Sequence, residues 1–326
     1  MYLCEGFEVQ QGVLYPKRMN LTKKTQGHIA IFTASLIFGV NLPLTKTILP
    51  LFVDAQMMTL FRVSGAAILF WCVSLFVKKE PVPYKDLLLM FAASMFGIVI
   101  NQFAFLEGLS RSSVVDTGII LTITPIVTML FAALFLKEPI TGRKILGVLV
   151  GLSGALLLIL SGAKNGVGNG SWIGILLLLS SSFGFALYLT LFRDLIIRYS
   201  PITLMKWMFL FATIVGIAVY WRHITTFNFT ATPTMVYLKL AYIVVGATFF
   251  TYLLIPIAQK SLRPTTLSMY NYLQPIVAAF IVFIFNMDTF GWYKILSALL
   301  VFLGVYIVTQ SKSREQVEKE QNHLKS

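Results

Sequence analysis

Apolar runs, each about as long as a bilayer crossing and each closed by charge, Pro or Gly, recur along the whole chain. A membrane-spanning helix needs about 20 mostly apolar residues to cross the hydrocarbon core. Ten stretches meet that requirement: residues 28–50, 56–77, 86–109, 113–136, 142–161, 171–197, 202–221, 234–257, 265–286 and 289–310. The pattern predicts an all-α integral membrane protein of ten transmembrane helices.

Composition agrees with this. With 57% hydrophobic and 12% charged residues and a mean hydropathy of +0.80, there are too few polar side chains to coat a water-soluble globule of this length. The net charge of +13 would suggest nucleic acid in a soluble chain. Here no basic face interleaves with base-stacking aromatics, so nucleic acid is excluded as a partner. Apart from Arg62 within a span, the basic residues follow one side: Lys17, Arg18, Lys23, Lys24, Lys78, Lys79, Lys85, Lys137, Arg143, Lys144, Arg193, Arg198, Lys206, Lys260, Arg263, Lys312, Arg314, Lys319 and Lys325 against Lys46, Arg111, Lys164, Arg222, Lys239 and Lys294. Cytoplasmic loops hold the excess of Lys and Arg. Both termini are therefore expected in the cytoplasm, which requires an even number of spans, and the expected location is the bacterial inner (plasma) membrane. Residues 1–27 read as a cytoplasmic tail without a cleavable signal. Met19 opens "MNLTKK" and is an alternative start to Met1, and residues 311–326 form a charged cytoplasmic tail. Cys4 and Cys72 make no disulfide framework.

The chain also contains an echo of itself. "TPIVTMLFAALFLKE" begins at Thr124, and "QPIVAAFIVFIFNMD" begins at Gln274, with Pro125 and Pro275 in register. "FGVNLPLT" at Phe38 faces "FGFALYLT" at Phe183, and the Gly-rich stretch 162–170 separates the halves. The halves read as residues 28–161 and 171–310. Matching helix breakers weigh more than matching Leu or Ile, so the pattern predicts a duplication. Each half holds five spans, an odd number, so the second enters the membrane upside down: an inverted five-plus-five repeat, which places a site near the midplane between the halves.

These residues resemble the EamA-type transporters of the drug/metabolite superfamily. The matching pieces are "FGVNLPLTK", "FRVSGAA", "TPIVTMLFAALFLKEPITGRKILGVLVGLSG" and their second-half echo, together covering residues 30–310. Phe38 stands where the family usually has Trp, and Asp288 follows Met where the family prefers a Gly-Glu pair. The resemblance implies a ten-span exporter of small metabolites.

Prolines inside spans leave the carbonyls of Leu121 and Asn271 without helical partners. Each break reads either as a packing kink or as cavity lining. Polar residues at membrane depth are costly and by default face the bundle interior. The candidate substrate-binding residues are Asn41, Arg62, Asn101, Gln102, Tyr188, Tyr252, Asn271 and Gln274, with Glu107 and Asp116 as candidates for ion coupling and Pro125 and Pro275 as helix breaks. Arg62 reads as a structural ion pair with Glu107 or Asp116, or as a fork for an anionic group of a substrate. Asn271 and Gln274 share a helical face and suit either a neutral or zwitterionic solute or interhelical bonding. Lys137 and Glu138 read as solvated charges at a cytoplasmic helix end.

Chemistry that requires other signatures is not legible. His28, His223 and His323 occur singly without metal-ligand spacing, there is no phosphate-binding GxxxxGK[ST] loop, and no Ser/His/Asp set shares a depth. The sequence therefore predicts no enzyme, no cofactor and no metal. It predicts a secondary transporter of a small metabolite such as an amino acid, a nucleobase-like compound or a drug, in contact with lipid and with a homodimer open as its assembly. The competing classes are a non-transporting receptor or scaffold and a membrane-embedded enzyme.

Overall fold

In a computed structural model, residues 7–10, 13–16, 22–112, 117, 120–162, 172–229, 232–284 and 292–311 are described. Asp116, Asp288, most of the 162–170 linker and the tail beyond residue 311 lie outside them. A short antiparallel hairpin, β1 (Phe7–Gln10) with β2 (Val13–Pro16), precedes the helices. The hairpin is a local addition ahead of the bundle, and the membrane-embedded part of the described chain is all-α, as the sequence predicts.

The helices are α1 (Lys23–Lys46), α2 (Ala55–Ser74), α3 (Tyr84–Arg111), α4 (Thr124–Leu136), α5 (Gly142–Gly162), α6 (Trp172–Leu191), α7 (Arg193–Arg198), α8 (Pro201–Thr226), α9 (Thr234–Gln259), α10 (Pro264–Met269), α11 (Leu273–Ile284) and α12 (Trp292–Thr309). Six of them, α1, α2, α3, α6, α8 and α9, are long and apolar enough to cross a membrane. Large apolar side chains such as Phe76, Ile68, Leu134, Leu176 and Leu299 stand exposed around the bundle. Only a lipid solvent makes that arrangement favourable, so this is an integral membrane protein.

Local chemistry sets the helix starts. The Thr22 hydroxyl accepts from the Thr25 N–H, Asp54 accepts from the Met57 N–H, and Ser200 accepts from the Thr203 N–H just ahead of Pro201. Each satisfies one orphan donor of a first turn. Pro125 and Pro264 also occupy first turns, where a missing N–H costs nothing. Pro125 was expected inside a continuous span from residue 113. The described α4 instead begins at Thr124, after a turn at Thr122–Ile123. The expected span 265–286 is likewise broken into α10, a 3₁₀ turn at Tyr270–Tyr272 and α11, with Pro275 in the first turn of α11. The expected span 171–197 ends at Leu191, and α7 follows as a separate helix.

α3 and α9 each carry a nine-residue π-helical stretch, Met95–Phe103 and Tyr242–Phe250. The wider π turn leaves carbonyls off the regular ladder and often marks a functional site.

Helices of the first half pack on helices of the second. α1 lies against α9 and α11, α2 against α8, α3 against α6 and α8, α4 against α6 and α10, and α5 against α12. The α5–α12 seam is very close: a Cβ on Gly304 would lie 2.6 Å from the Gly147 carbonyl. At one end of the bundle the start of α1 meets the end of α9, where a Cβ on Gly27 would meet the Ala258 carbonyl. At the other end Lys46 Nζ, finishing α1, donates to the Leu109 and Ser112 carbonyls, and Gly108 abuts Gly174 and Leu178 near the start of α6. Thus α6 starts at the end of the bundle where α1 finishes.

Candidate functional site

A cavity of about 90 Å³ opens in the middle of the bundle. α1 contributes Ser35, Phe38 and Asn41, α2 contributes Arg62, and α3 contributes Asn101, Gln102 and Phe105. Across from them stand Ser181, Ser182 and Phe185 of α6, Tyr252 of α9, and Asn271 and Gln274 around the α10–α11 break. The wall is therefore shared between the two halves of the chain.

Seven of the eight candidate binding residues meet here: Asn41, Arg62, Asn101, Gln102, Tyr252, Asn271 and Gln274. Tyr188 does not line the cavity. It is buried beneath the wall, with its ring against Gly97, where any Cβ would clash at 2.7 Å. Glu107 is also elsewhere. It forms an ion pair with Arg111 one turn later and accepts from Gln56 Nε2 at 2.7 Å, towards the end of α3. Its expected pairing with Arg62 is not observed, because nearer donors on its own helix and on α2 take its oxygens.

A hydrogen-bonded chain crosses the site. The Tyr252 hydroxyl donates to Asn101 Oδ1 at 3.1 Å, and Asn101 Nδ2 donates to both the carbonyl and the hydroxyl of Ser181 at 3.1 Å. Thr124 donates to the Ser182 hydroxyl at 3.1 Å, and Gln274 Nε2 donates to Asn271 Oδ1 at 3.2 Å. Thr45 donates to Asn41 Oδ1, which turns that amide along its own helix. Leu121, whose carbonyl precedes the α4 break, also lines the cavity. Both proline breaks therefore border the cavity, where irregular backbone at membrane depth is tolerated.

Arg62 is the one charged residue among the described residues of the wall. It is 2% exposed, and no carboxylate pairs with it among the described residues. Arg62 Nε donates to the Thr248 hydroxyl at 3.0 Å, and Nη2 reaches the Ala247 carbonyl at 3.5 Å. Both acceptors belong to the π stretch of α9. Thr248 in turn donates to the Ile243 carbonyl at 2.8 Å, fixing its hydroxyl as an acceptor for Arg62.

Ser181, Ser182, Thr248 and the rings of Phe38, Phe105 and Phe185 were not among the candidate binding residues. The Ser180–Ser182 run inside an apolar span was the available signal for the first two. Thr248 gave none, since a lone Thr in a span normally satisfies its own helix.

The model of the EamA-like transporter family matches twice, at residues 25–160 and 172–310. The chain is 26% identical over 296 residues to the uncharacterized transporter YcxC of Bacillus subtilis, covering 87% of this chain and 92% of that one. It is 20% identical to a WAT1-related protein of Arabidopsis thaliana, covering 90% and 86%. An uncharacterized transporter of Archaeoglobus fulgidus is 31% identical over 124 residues, a match spanning 42% of that protein's length. A solved crystal structure 14% identical in sequence superposes with a TM-score of 0.73 over 89% of this chain and 99% of the other, a likeness of fold alone.

Proposed function

The chain belongs to the EamA-like transporter family, and on that premise we propose that it is a secondary transporter that moves a small polar or amphipathic metabolite by alternating access. The proposed architecture is ten spans in an inverted five-plus-five repeat, residues 28–161 and 171–310, with both termini cytoplasmic. Three features support the repeat: the reciprocal packing of α1 on α9 and α11 and of α6 on α3 and α4, the paired π stretches, and the opposite directions of α1 and α6. The basic residues Lys23, Lys78, Lys85, Lys144, Arg198 and Lys260, gathered at one end of the bundle, favour that end as cytoplasmic.

The observation that carries the reading is the cavity itself. Its wall is drawn from both halves and rich in amides, and it lies where two helices break. Rocking one half against the other would expose it to each side in turn. Export is the proposed direction, and an amino acid, a nucleobase-like compound or a drug the proposed cargo. Counterflow in proteoliposomes tests the reading. Vesicles loaded with a mixture of these classes accumulate labelled solute only where the purified protein is present; equal uptake by protein-free vesicles for every class would sink it.

A further inference from the structure

The guanidinium of Arg62 is held in an unusual way. Of its five N–H groups, Nε–H and one Nη2–H lie on the edge that faces α9, where Thr248 and Ala247 accept them. Nη1 is buried without a hydrogen-bond partner among the described residues. Two neutral acceptors fix the plane of the group, and among the described residues no carboxylate offsets its charge. A buried cation without a counter-charge is costly, by several kcal/mol even after relaxation. A site that keeps one is organised for an anion that arrives from outside. The free edge, Nη1 together with the remaining Nη2 proton, is a two-donor fork that matches the two oxygens of a carboxylate.

The rest of the wall limits what that anion carries. Among the described residues no Asp, Glu or Lys lines the cavity beside Arg62, so none of them pairs with a cationic amine there. Phe38, Phe105 and Phe185 supply apolar faces, and Asn101 and Gln102 supply neutral donors and acceptors next to Arg62. The Thr248 hydroxyl is committed at both ends, to Arg62 and to Ile243. It positions the guanidinium and does not read the solute.

We propose that the central cavity is a carboxylate site, and that the solute of this chain is a small amphipathic monocarboxylate whose two oxygens dock on the free edge of Arg62 while its apolar body lies against the phenylalanine rings. The proposal rests on the transport reading for its physiological meaning and on Arg62 alone for its chemistry.

The test is a matched ligand series on the full-length protein in detergent at neutral pH. Acetate, butyrate and phenylacetate are each compared with the corresponding amide and amine, and dissociation constants are taken from the concentration dependence of the melting temperature. At least one carboxylate should bind about 10- to 100-fold tighter than its amide, the range of a charge-assisted pair over a neutral one. Arg62→Gln should erase that preference, and Arg62→Lys, which keeps charge without the fork, should retain only part of it. Thr248→Val, which leaves the charge and frees the guanidinium plane, should weaken the carboxylate several-fold and leave the amide unchanged; it serves if Arg62→Gln does not fold. Wild-type protein that binds no carboxylate better than its amide, or that prefers the amines, overturns the proposal. Counterflow of the same nine compounds separates the two readings. Flux of amides or amines without carboxylates refutes the carboxylate site and keeps transport; tight carboxylate binding without flux of any compound does the reverse.

Discussion

Lys144 Nζ lies 2.7 Å from Glu138 Oε2, with the two side chains 1% and 8% exposed. The sequence suggested a solvated charge at this helix end, and burial of Glu138 corrects that expectation. The reason is local. Lys137 adopts a left-handed conformation (φ 51°) that ends α4, and the chain turns back to place Glu138 over the first turn of α5. Lys144 also donates to the Pro139 carbonyl at 3.2 Å, closing the turn.

Breaking this pair on one side should therefore be costly. Lys144→Met leaves a buried carboxylate without its partner, and about 3–5 kcal/mol of stability should be lost. Replacing both residues, Glu138→Leu with Lys144→Met, should recover most of it. Melting temperatures in detergent of the two single variants and the double variant decide the matter; a double variant as unstable as the singles would show that the turn, and not the charge balance, is what fails.

Gly39 brings α1 hard against the broken helix. A Cβ there would lie 2.4 Å from Val277 Cβ and 3.0 Å from the Gln274 carbonyl. Gly39→Ala should cost about 1–3 kcal/mol through overpacking and should lower transport by shifting Phe38 and Gln274, which share the cavity wall. Val277→Ala in the same chain should restore much of both. Expression level, melting temperature and flux of the single and double variants give the answer, and failure of the second change to rescue would locate the strain in the backbone.

The Asn101–Tyr252 contact joins α3 to α9, immediately beside or within their π stretches. Asn101→Ala and Tyr252→Phe should each weaken transport, and in combination should show a coupling of roughly 0.5–3 kcal/mol in stability, as contacting residues do. A complete double-mutant cycle measures this. Strict additivity would mean that Asn101 acts only through Ser181.

At the basic end, Glu80 ties the loop between α2 and α3 to the start of α8. It accepts from the Ser200 N–H at 3.1 Å and from the Ser200 hydroxyl at 2.8 Å. Partial burial pushes its pKa up, but hydrogen bonds from Thr203 and Ser200 and the charge of Lys260 outweigh that, so the carboxyl sits below its ordinary value of 4.5. A depressed folded-state value means that this contribution is present above 4.5 and is lost as pH falls through the lower folded value. Glu80→Gln should reduce stability at neutral pH, and the difference from wild type should shrink below about pH 4.5. Melting curves at several pH values test it, and a constant difference across that range would exclude the linkage.

Much of the architecture was legible because bilayer crossing imposes length and hydropathy directly on the sequence. The pairing of Pro125 with Pro275 located the two breaks, and seven of the eight polar candidates proved to share one cavity. What was not legible depended on direction around a helix. Tyr188 and Tyr252 look alike as tyrosines in apolar spans, yet one packs on Gly97 and the other reaches Asn101. Glu107 and Arg62 seemed matched in depth, but depth says nothing of rotation, and Glu107 pairs with Arg111 one turn away. The π stretches widen the helix locally and rotate everything after them, which no 3.6-residue pattern anticipates.

Asn271 and Gln274 give the last prediction, since their shared bond has two readings. Gln274 Nε2 donates to Asn271 Oδ1, and both line the cavity while remaining only half-buried. The bond is local, within one turn of the α10–α11 break, and joins no separate helices. It contributes about 1 kcal/mol or less to the fold. Gln274→Ala should therefore lower the melting temperature by only a degree or two while reducing flux severalfold, because the amides that face the solute would be lost at the point where the helix opens. Asn271→Ala should do the same. Parallel loss of folded protein and of flux in both variants would assign the pair to packing, and would leave Arg62 and Asn101 as the polar residues on which solute recognition depends.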